Sequence, residues 1–588
     1  MKLDEKVLRK LEYHKIIKML EEKCSSIMGK ELASTLQPSF NLEEIVSWQS
    51  ETTQAKEVMR LFPNFSLGGI RDIRSSIDKA NIGGIVEPSD FLMIYDTLVA
   101  SRSTKNFFKT NGQKYQLLVA YTKDVVSLPQ LEQEIKRNIT TEGEVSDNAS
   151  PELSHLRKKL RSLQGRAREK LENMVRSQSI QKYLQDFIIT IRNDRYVIPI
   201  KQEYRSQVPG IIHDQSASGA TLFVEPMSVV EINSETQQVE AMEKAEVTRI
   251  LREMSQLVAT YSQELKDILA TLAQLDFIFG KGKLSSALDC GEPIMNQRGY
   301  IRIIQGRHPL LKGTVVPTTI WLGQDFETLV ITGPNTGGKT VALKTVGLFV
   351  LMAQAGLHVP AQVGTEISLF EGIFADIGDE QSIEQSLSTF SSHMTNIVSI
   401  LQKANARSLV LMDELGAGTD PTEGAALAMA ILEYFVSLGT KVIATTHYSE
   451  LKSFAYNNER VENASVEFDV ETLRPTYRLL VGVPGKSNAF EISRRLGLKQ
   501  ELVERAKGLL SKEEVRVADL IENLETNQLL SERDRQEAKK LKLDAREQLS
   551  IVEGMENEVN RKKDAIIKKA QQEALEIVIL LLPFSLSL

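Results

Sequence analysis

The most constraining feature of the sequence is a short glycine-rich run that lies between an apolar strand and a helix. Residues 328–331 (TLVI) have the apolar, β-branched character of a buried strand, and GPNTGGKT follows at 333–340. Residues 341–356 (VALKTVGLFVLMAQAG) have a helix-compatible composition. This is the pattern G-x-x-x-x-G-K-T in the strand–loop–helix order of a phosphate-binding loop. We therefore predict an ATPase of the P-loop class.

Each residue type in this run has a physical role in holding a nucleotide. Glycines let backbone N–H groups approach the phosphates, and the helix that follows presents its positive end to them. Lys339 is predicted to neutralise the β- and γ-phosphates, and the Thr340 hydroxyl to coordinate Mg²⁺. The predicted ATP-binding residues are Gly333, Pro334, Asn335, Thr336, Gly337, Gly338, Lys339 and Thr340.

Two later strand ends carry candidate catalytic residues. The apolar run 408–412 ends in Asp413 and Glu414, the Walker B arrangement. Asp413 is predicted to hold Mg²⁺, directly or through water, and Glu414 to deprotonate the attacking water. The alternative is a strand end with two solvated acids. The strand 441–444 runs into His447, a predicted γ-phosphate sensor whose alternative is a satisfied core histidine.

The periodicity of the chain predicts a multi-domain α and α/β protein. Apolar residues recur at steps of three and four from Leu153 to Met174, mostly leucines with Ala167 among them, which predicts one apolar helical face with a basic face opposite. Runs at 187–191 and 196–200 predict a hairpin, with Pro199 indicating an edge strand, and 230–279 predicts one long helix. The predicted divisions are an N-terminal helical region (1–130), a helical core with lever arms (131–295) holding a β clamp insert (about 185–228), an ABC-type P-loop ATPase domain (296–510), a coiled coil (511–576) and an anomalous apolar tail (577–588).

The motifs together resemble those of the MutS family of ABC-type ATPases, over about residues 130–510. The matching segments are GRHP at 306–309, GPN at 333–335, STF at 388–390, DELG at 413–416 and TTHY at 445–448. The resemblance implies that Ser388 belongs to a signature segment that contacts the γ-phosphate of ATP on a partner subunit. Since the chain has one P-loop and one such segment, a homodimer is implied.

The arm segment QSASGATLFVEP at 215–226, the early start of the helical core and a coiled coil after the ATPase domain resemble the second bacterial MutS paralogue, which lacks the mismatch-reading domain. That subfamily implies suppression of homologous recombination on branched DNA, or the splitting of stalled, collided ribosomes. It also implies a β-barrel module and a nuclease domain after the coiled coil, so we expect C-terminal truncation and do not assign nuclease activity. The subfamily's Asp-Phe-x-x-Ala-Lys-Ala is altered to DFIFGKG at 276–282, two helical glycines that should cost roughly 1 kcal/mol each.

Composition limits how such a protein can bind nucleic acid. The formal net charge is −7, so contacts with rRNA or DNA phosphates must come from local basic patches. The candidate contacts are Arg192, Arg195 and Lys201, besides the basic face at 157–170, which a solvated helix face explains equally well. No run reaches the roughly 18 apolar residues of a membrane span, and the N-terminus has no signal core, so a cytoplasmic location is expected.

Three functions therefore remain from the sequence. The first is an ATP-driven clamp on ribosomes or branched DNA, and the second is a mismatch- or junction-DNA-binding protein that uses ATP as a switch. The third, a transporter-type or chromosome-organising ATPase, is disfavoured because the chain has no L-S-G-G-Q segment and no membrane span, and its arm is interrupted by a β insert.

Overall fold

The computed structural model describes residues 4–123, 125–313, 315–333, 338–378, 389–469, 474–485, 489–495 and 497–509, with scattered positions from 534 to 574. It is a mixed α and α/β structure, as predicted. The chain forms two compact units: Met1–Val315 with Lys344–Ile373, and Val316–Leu343 with Phe374–Leu588. No helix among the described residues is long and apolar enough to cross a membrane.

The first unit begins with a bundle of helices. Leu131 and Ile135 of the last helix pack with Ile268 and Leu272 of a later one in a single apolar core. The helices are α1 (Glu5–Lys10), α2 (Tyr13–Lys23), α3 (Ile27–Ser34), α4 (Leu42–Leu61), α5 (Arg74–Asn81), α6 (Pro88–Asn111), α7 (Gln116–Thr122) and α8 (Pro129–Asn138). The breaks after α3, α4 and α5 contain Pro38, Pro63 with Gly68-Gly69, and Gly83-Gly84, respectively.

An arm of long helices with a small sheet at its tip follows. Ser150 caps the first helix by accepting the Leu153 N–H, and the predicted leucine face is buried. The predicted helix 230–279 is wrong in one respect, because the chain breaks at Tyr261 and forms two helices. The elements are α9 (Pro151–Arg176), α10 (Gln178–Gln181), β1 (Thr190–Arg192), β2 (Arg195–Lys201), β3 (Gly210–Gln215), β4 (Thr221–Pro226), α11 (Met227–Thr260) and α12 (Ser262–Ala287).

The tip sheet has the strand order β1-β2-β4-β3, and we call it the clasp (residues 190–226). The predicted hairpin is present, with Asn193 and Asp194 both at positive φ in its turn. The predicted edge position of Pro199 is wrong, since β2 lies between β1 and β4. The short β1 begins at Thr190, opposite Val197, so Pro199 lies beyond the residues of β2 that pair with β1. The Pro199 carbonyl accepts the Gln185 N–H instead. β3 was not predicted, because its side chains form no apolar run.

Glycines in α12 allow a close helix contact. A methyl group on Gly280 would lie 2.6 Å from Cys24 Sγ, and one on Gly282 would lie 3.1 Å from the Lys56 backbone nitrogen. Both glycines are buried. The local cost predicted from helix propensity is therefore accompanied by tighter packing of α12 against its neighbours.

The remaining elements are ten strands and six helices among the described residues. In chain order they are β5 (Ile294–Asn296), β6 (Ile301–Gly306), β7 (Thr318–Leu322), β8 (Thr328–Thr332), α13 (Lys339–Gln354), β9 (Glu366–Ser368), β10 (Gly372–Asp376), α14 (Thr389–Lys403), β11 (Ser408–Met412), α15 (Pro421–Leu438), β12 (Lys441–Thr445), α16 (Ser449–Tyr456), β13 (Val461–Asp469), β14 (Arg474–Val481), α17 (Ala489–Arg495) and α18 (Gln500–Lys507).

A six-stranded sheet of order β10-β11-β12-β8-β13-β14 is the core of the second unit. β11, β12, β8 and β13 pair in parallel, and β14 is antiparallel to β13. Every residue of β8, β11 and β12 is buried, which explains their continuous apolar runs. Parallel pairing brings the carboxyl ends of these strands to one edge of the sheet, where ligands bind in open α/β folds.

The described positions between 534 and 574 are helical and exposed. The coiled coil is predicted from apolar residues at steps of three and four, and four of them, Leu549, Val552, Met555 and Val559, are each about 60% exposed in the single chain. The coiled coil stays a prediction, and the apolar tail at 577–588 lies outside the described residues.

Candidate functional site

The candidate nucleotide site begins where β8 ends. Gly333 has φ 135° and Gly338 has φ 93°, a backbone conformation that side chains with a Cβ rarely adopt. Lys339 and Thr340 then form the first turn of α13. Pro334, Asn335, Thr336 and Gly337 lie outside the described residues.

The two predicted metal ligands are brought into contact. Thr340 Oγ1 donates to Asp413 Oδ2 at 2.7 Å, although 73 residues separate them in the chain. Asp413 directly follows β11, which belongs to the same sheet as β8. A hydroxyl and a carboxylate that converge in this way form the hard oxygen donor set that Mg²⁺ takes beside nucleotide phosphates. The residues therefore fit a magnesium–nucleotide site.

Lys339 lies beside the carboxylates of this site. Its Nζ donates to the Gly333 carbonyl at 2.6 Å, and the residue is only 2% exposed. Burial lowers the pKa of Lys339, while the charges of Glu414 and Asp413 oppose that shift. A cation held in a poorly solvated position interacts strongly with added negative charge, which suits a phosphate ligand.

Thr445 orients both acids of the Walker B pair, and it was not predicted as a site residue. Its hydroxyl donates to Asp413 Oδ1 at 2.5 Å and accepts the backbone N–H of Glu414 at 2.8 Å. Its carbonyl accepts the Leu415 N–H at 2.9 Å. Thr445 is fully buried at the end of β12. The side chain thus fixes the direction of the Asp413 carboxylate and the backbone of Glu414 together.

Glu414 has an unusual backbone. Its φ is +49°, in the left-handed region that disfavours residues with a Cβ. The chain turns here, because Ala417 N–H bonds back to the Glu414 carbonyl at 3.0 Å. Strained conformations of this kind occur at functional sites, where neighbouring bonds maintain them.

The turn after Glu414 is held against α15 by two glycines. A methyl group on Gly416 would lie 2.5 Å from the Gly424 carbonyl oxygen, and one on Gly424 would lie 2.4 Å from the Gly416 carbonyl oxygen. Asp420 caps α15 by accepting the N–H groups of Thr422 and Glu423. The spacing of the acids from α15 therefore depends on two residues without side chains.

His447 follows β12 and has an exposed side chain. Its ring centroid lies 4.7 Å from that of Tyr448, whose hydroxyl donates to the Gly416 carbonyl at 3.0 Å. The core-histidine alternative does not describe an exposed ring. The phosphate-sensing role stays a prediction. Ser388 lies outside the described residues, one position before α14.

Tyr477 is a site residue that sequence reasoning missed. It has φ +61° although it is a bulky residue, and its side chain is 53% exposed. The pairing of β13 with β14 is irregular opposite it, and Thr476 Oγ1 donates to Glu467 Oε2 at 2.7 Å. A methyl group on Gly338 would lie 3.0 Å from Tyr477 Cδ1, so the ring covers the last P-loop glycine. Bulges commonly re-aim a side chain beside an active site, and no local sequence signal marks this one.

Arg192 and Arg195, two of the predicted nucleic-acid contacts in the clasp, have partners within the chain. Arg195 donates to the fully buried carboxylate of Glu225 at 2.9 Å, with His213 and Asn233 on the same carboxylate. Arg192 lies 4.3 Å from the centroid of the Phe223 ring.

Lys201 ends β2 and is partly exposed. On the arm, Arg157, Lys159 and Arg161 pair with Asp147, Glu235 or Glu243. Most of these described cations therefore stabilise the arm and clasp through internal ion pairs.

Comparison with known proteins gives a consistent result. The family model described as MutS domain V matches residues 329–514. An Endonuclease MutS2 from Pelotomaculum thermopropionicum is 52% identical over 576 residues, which cover 98% of this chain and 73% of the relative. An Endonuclease MutS2 from Alkaliphilus metalliredigens is 51% identical over 98% of this chain and 73% of its own length. One from Clostridioides difficile is 51% identical over 92% and 69%, respectively.

Proposed function

The chain belongs to the MutS2 family, and from that premise we propose that it is an ATPase that works as a homodimer on a nucleic-acid-rich target. The observation that carries the proposal is the contact of Thr340 with Asp413, with Thr445 orienting both Asp413 and Glu414. This arrangement supplies the parts that phosphoryl transfer to water requires.

The proposed roles follow from position and chemistry. Lys339 and the backbone N–H groups of 333–340 bind the phosphates, and Tyr477 bounds the site at Gly338. Thr340 and Asp413 hold Mg²⁺, which when bound neutralises phosphate charge. Glu414 accepts the proton of the attacking water, in the direction that its bonded backbone sets.

Two subunits are needed to complete each site in this proposal. His447 senses the γ-phosphate in its own subunit, and Ser388 contacts it from the other subunit. ATP binding therefore closes the dimer, and hydrolysis at Glu414 reopens it. The arm and clasp would transmit this cycle to the target, as expected for a mechanochemical ATPase.

The preferred target is a stalled, collided ribosome or branched DNA, in the cytoplasm. Support comes from the relatives, whose name denotes nucleic-acid cleavage, and from the arm with its clasp. We assign no residue of this chain to cleavage. A mismatch- or junction-DNA binder that uses ATP as a switch is the second candidate. Mismatch-repair MutS proteins carry a Phe-x-Glu wedge that stacks on the faulty base, and Phe223-Val-Glu225 matches those letters. The match does not favour this candidate, since Phe223 is a strand residue of the clasp and Glu225 is fully buried.

Steady-state ATP turnover measured with collided ribosomes, branched DNA and mismatched duplex tests the target. We expect the largest stimulation of ATP turnover with collided ribosomes or with branched DNA. If none of the three targets raised the turnover, the proposal would be rejected.

Lys339→Ala should abolish tight nucleotide binding. Glu414→Gln should bind ATP normally, hydrolyse it slowly and accumulate as a dimer in light scattering; parental turnover in this variant would exclude Glu414 as the base.

A further inference from the structure

A buried acid outside the predicted site joins the Walker B strand to helix α14. Asp376 is the last residue of β10 and is 4% exposed. Its Oδ2 accepts from His393 Nδ1 at 2.8 Å, and its Oδ1 accepts from Asn396 Nδ2 at 2.8 Å. His393 and Asn396 lie in the first half of α14. The Asp376 carboxylate therefore forms hydrogen bonds with two residues of this helix.

The backbone of Asp376 is hydrogen-bonded to Asp413, the acid that follows β11. Its carbonyl accepts the N–H of Asp413 at 2.8 Å, and β10 lies next to β11. Gly378 makes room for the imidazole, because a methyl group there would lie 3.3 Å from His393 Cε1. The Asp376–His393–Asn396 cluster thus links the metal-binding acid of one strand to a helix by a short, directional path.

Helix α14 begins at Thr389, the residue that follows Ser388 in the sequence, and Ser388 itself lies outside the described residues. We propose that Asp376, through His393 and Asn396, is a positioning residue that holds α14 so that Ser388 is presented to the ATP site of the partner subunit. The inference rests on the proposed function, because it requires a composite site in a dimer.

The chemistry of the cluster favours positioning over simple packing. A buried carboxylate is costly unless hydrogen bonds satisfy it, and such bonds fix direction more strictly than apolar contacts do. The core of this unit has apolar residues of α14 available for packing, namely Ile397 and Ile400. The polar cluster therefore adds orientation to a helix that is already held by its apolar face.

Mixed dimers separate an effect on the partner site from an effect within the subunit. Subunits with different affinity tags are purified as heterodimers carrying His393→Ala and Glu414→Gln, either on opposite subunits or both on one subunit. With the changes on opposite subunits, one site keeps an intact Walker B acid and an intact partner signature. With both changes on one subunit, the only hydrolytic site faces the altered helix.

We expect the opposite arrangement to keep about half of the parental dimer's turnover. In the same-subunit arrangement the turnover should be roughly 10- to 100-fold lower than that. This is the effect of losing one charge-assisted hydrogen bond in the transition state. The inference would be overturned if the same-subunit dimer had the higher turnover. It would also be overturned if both dimers kept their turnover equally or lost it equally. A dimer of parental and Glu414→Gln subunits should retain half turnover; failure of that control would reject the proposed dimer itself.

Further variants distinguish positioning from loss of folding. Asp376→Asn and His393→Ala homodimers should lower kcat and leave the nucleotide affinity of the P-loop within about twofold of the parent. His393→Asn, whose amide nitrogen can take the place of imidazole Nδ1, should restore most of kcat. Thr395→Ala is the matched control, because Thr395 is an exposed residue of α14 whose hydroxyl donates to the Ser391 carbonyl of the same helix at 2.7 Å. Equal effects of all four changes on affinity and kcat would contradict the positioning role.

Discussion

At the scale of single residues, the hydroxyl of Thr445 determines how the two Walker B acids point. Thr445→Val keeps the shape of the side chain and removes the bonds to Asp413 and Glu414 N–H. A lost hydrogen bond to a charged group costs about 1.5–3 kcal/mol, so kcat should fall roughly 10- to 100-fold. Nucleotide affinity should change little, because Lys339 and the P-loop backbone remain.

Steady-state turnover and nucleotide titration measure these two quantities. Thr440→Val is the control, since Thr440 is equally buried just before the same strand and its hydroxyl bonds to the Asn405 carbonyl. It should lower stability and leave kcat unchanged. A parental kcat in Thr445→Val would show that other contacts orient the acids.

The positive φ of Glu414 predicts that backbone strain at this residue lowers the free energy of unfolding. Glu414→Gly and Glu414→Ala both remove the carboxylate, but only glycine relieves the left-handed strain. The glycine variant should be more stable than the alanine variant by about 1 kcal/mol. Scanning calorimetry of the two variants compares them directly, and equal melting temperatures would show that the backbone is not strained.

At the scale of elements, the pair of glycines between the catalytic turn and α15 sets a distance. Gly424→Ala should place a methyl group against the Gly416 carbonyl, a backbone atom that cannot rotate away. We expect a loss of about 1–3 kcal/mol in stability and a lower kcat, because the turn carrying Glu414 must move.

The control for Gly424→Ala is a glycine-to-alanine substitution in another helix. Gly165→Ala in α9 meets no atom within 4 Å, so it should raise stability by about 1 kcal/mol through helix propensity alone. Thermal unfolding of both variants tests the pair. Equal effects of the two substitutions would mean that propensity, and not the close contact, determines the outcome.

Some of the helices and strands could be predicted from the sequence and others could not. The period of buried leucines in α9 and the apolar runs of β8, β11 and β12 are local patterns, and those elements were predicted. The break at Tyr261 was not, because no glycine or proline marks it. The strand β3 was not, because its only apolar residues are Ile211 and Ile212 and most of its side chains are exposed.

At the scale of the whole molecule, nucleotide binding should stabilise the folded chain in a metal-dependent way. A ligand at a hundred times its dissociation constant adds about 2.7 kcal/mol to the free energy of unfolding. Mg²⁺ with a non-hydrolysable ATP analogue should therefore raise the melting temperature, and chelation of Mg²⁺ should reverse most of the rise. Lys339→Ala should show neither effect. An unchanged melting temperature in the parental protein would contradict the site.

The sequence by itself determined the chemistry of the nucleotide loop and of the strand-end acids. A glycine-rich turn between strand and helix, and a carboxylate after a buried strand, are local arrangements of residue types, and their physical roles depend on little else. Asp376 also ends an apolar run, so the argument used for Asp413 could have found it.

Only the tertiary structure decided which distant groups meet. Thr340 bonds Asp413, Tyr477 covers Gly338, and Arg195 is held by Glu225 because of strand order, register and a bulge. Those contacts are made through space between residues tens of positions apart. Hydrophobic periodicity specifies which side of an element is buried, but not which polar group will lie opposite it.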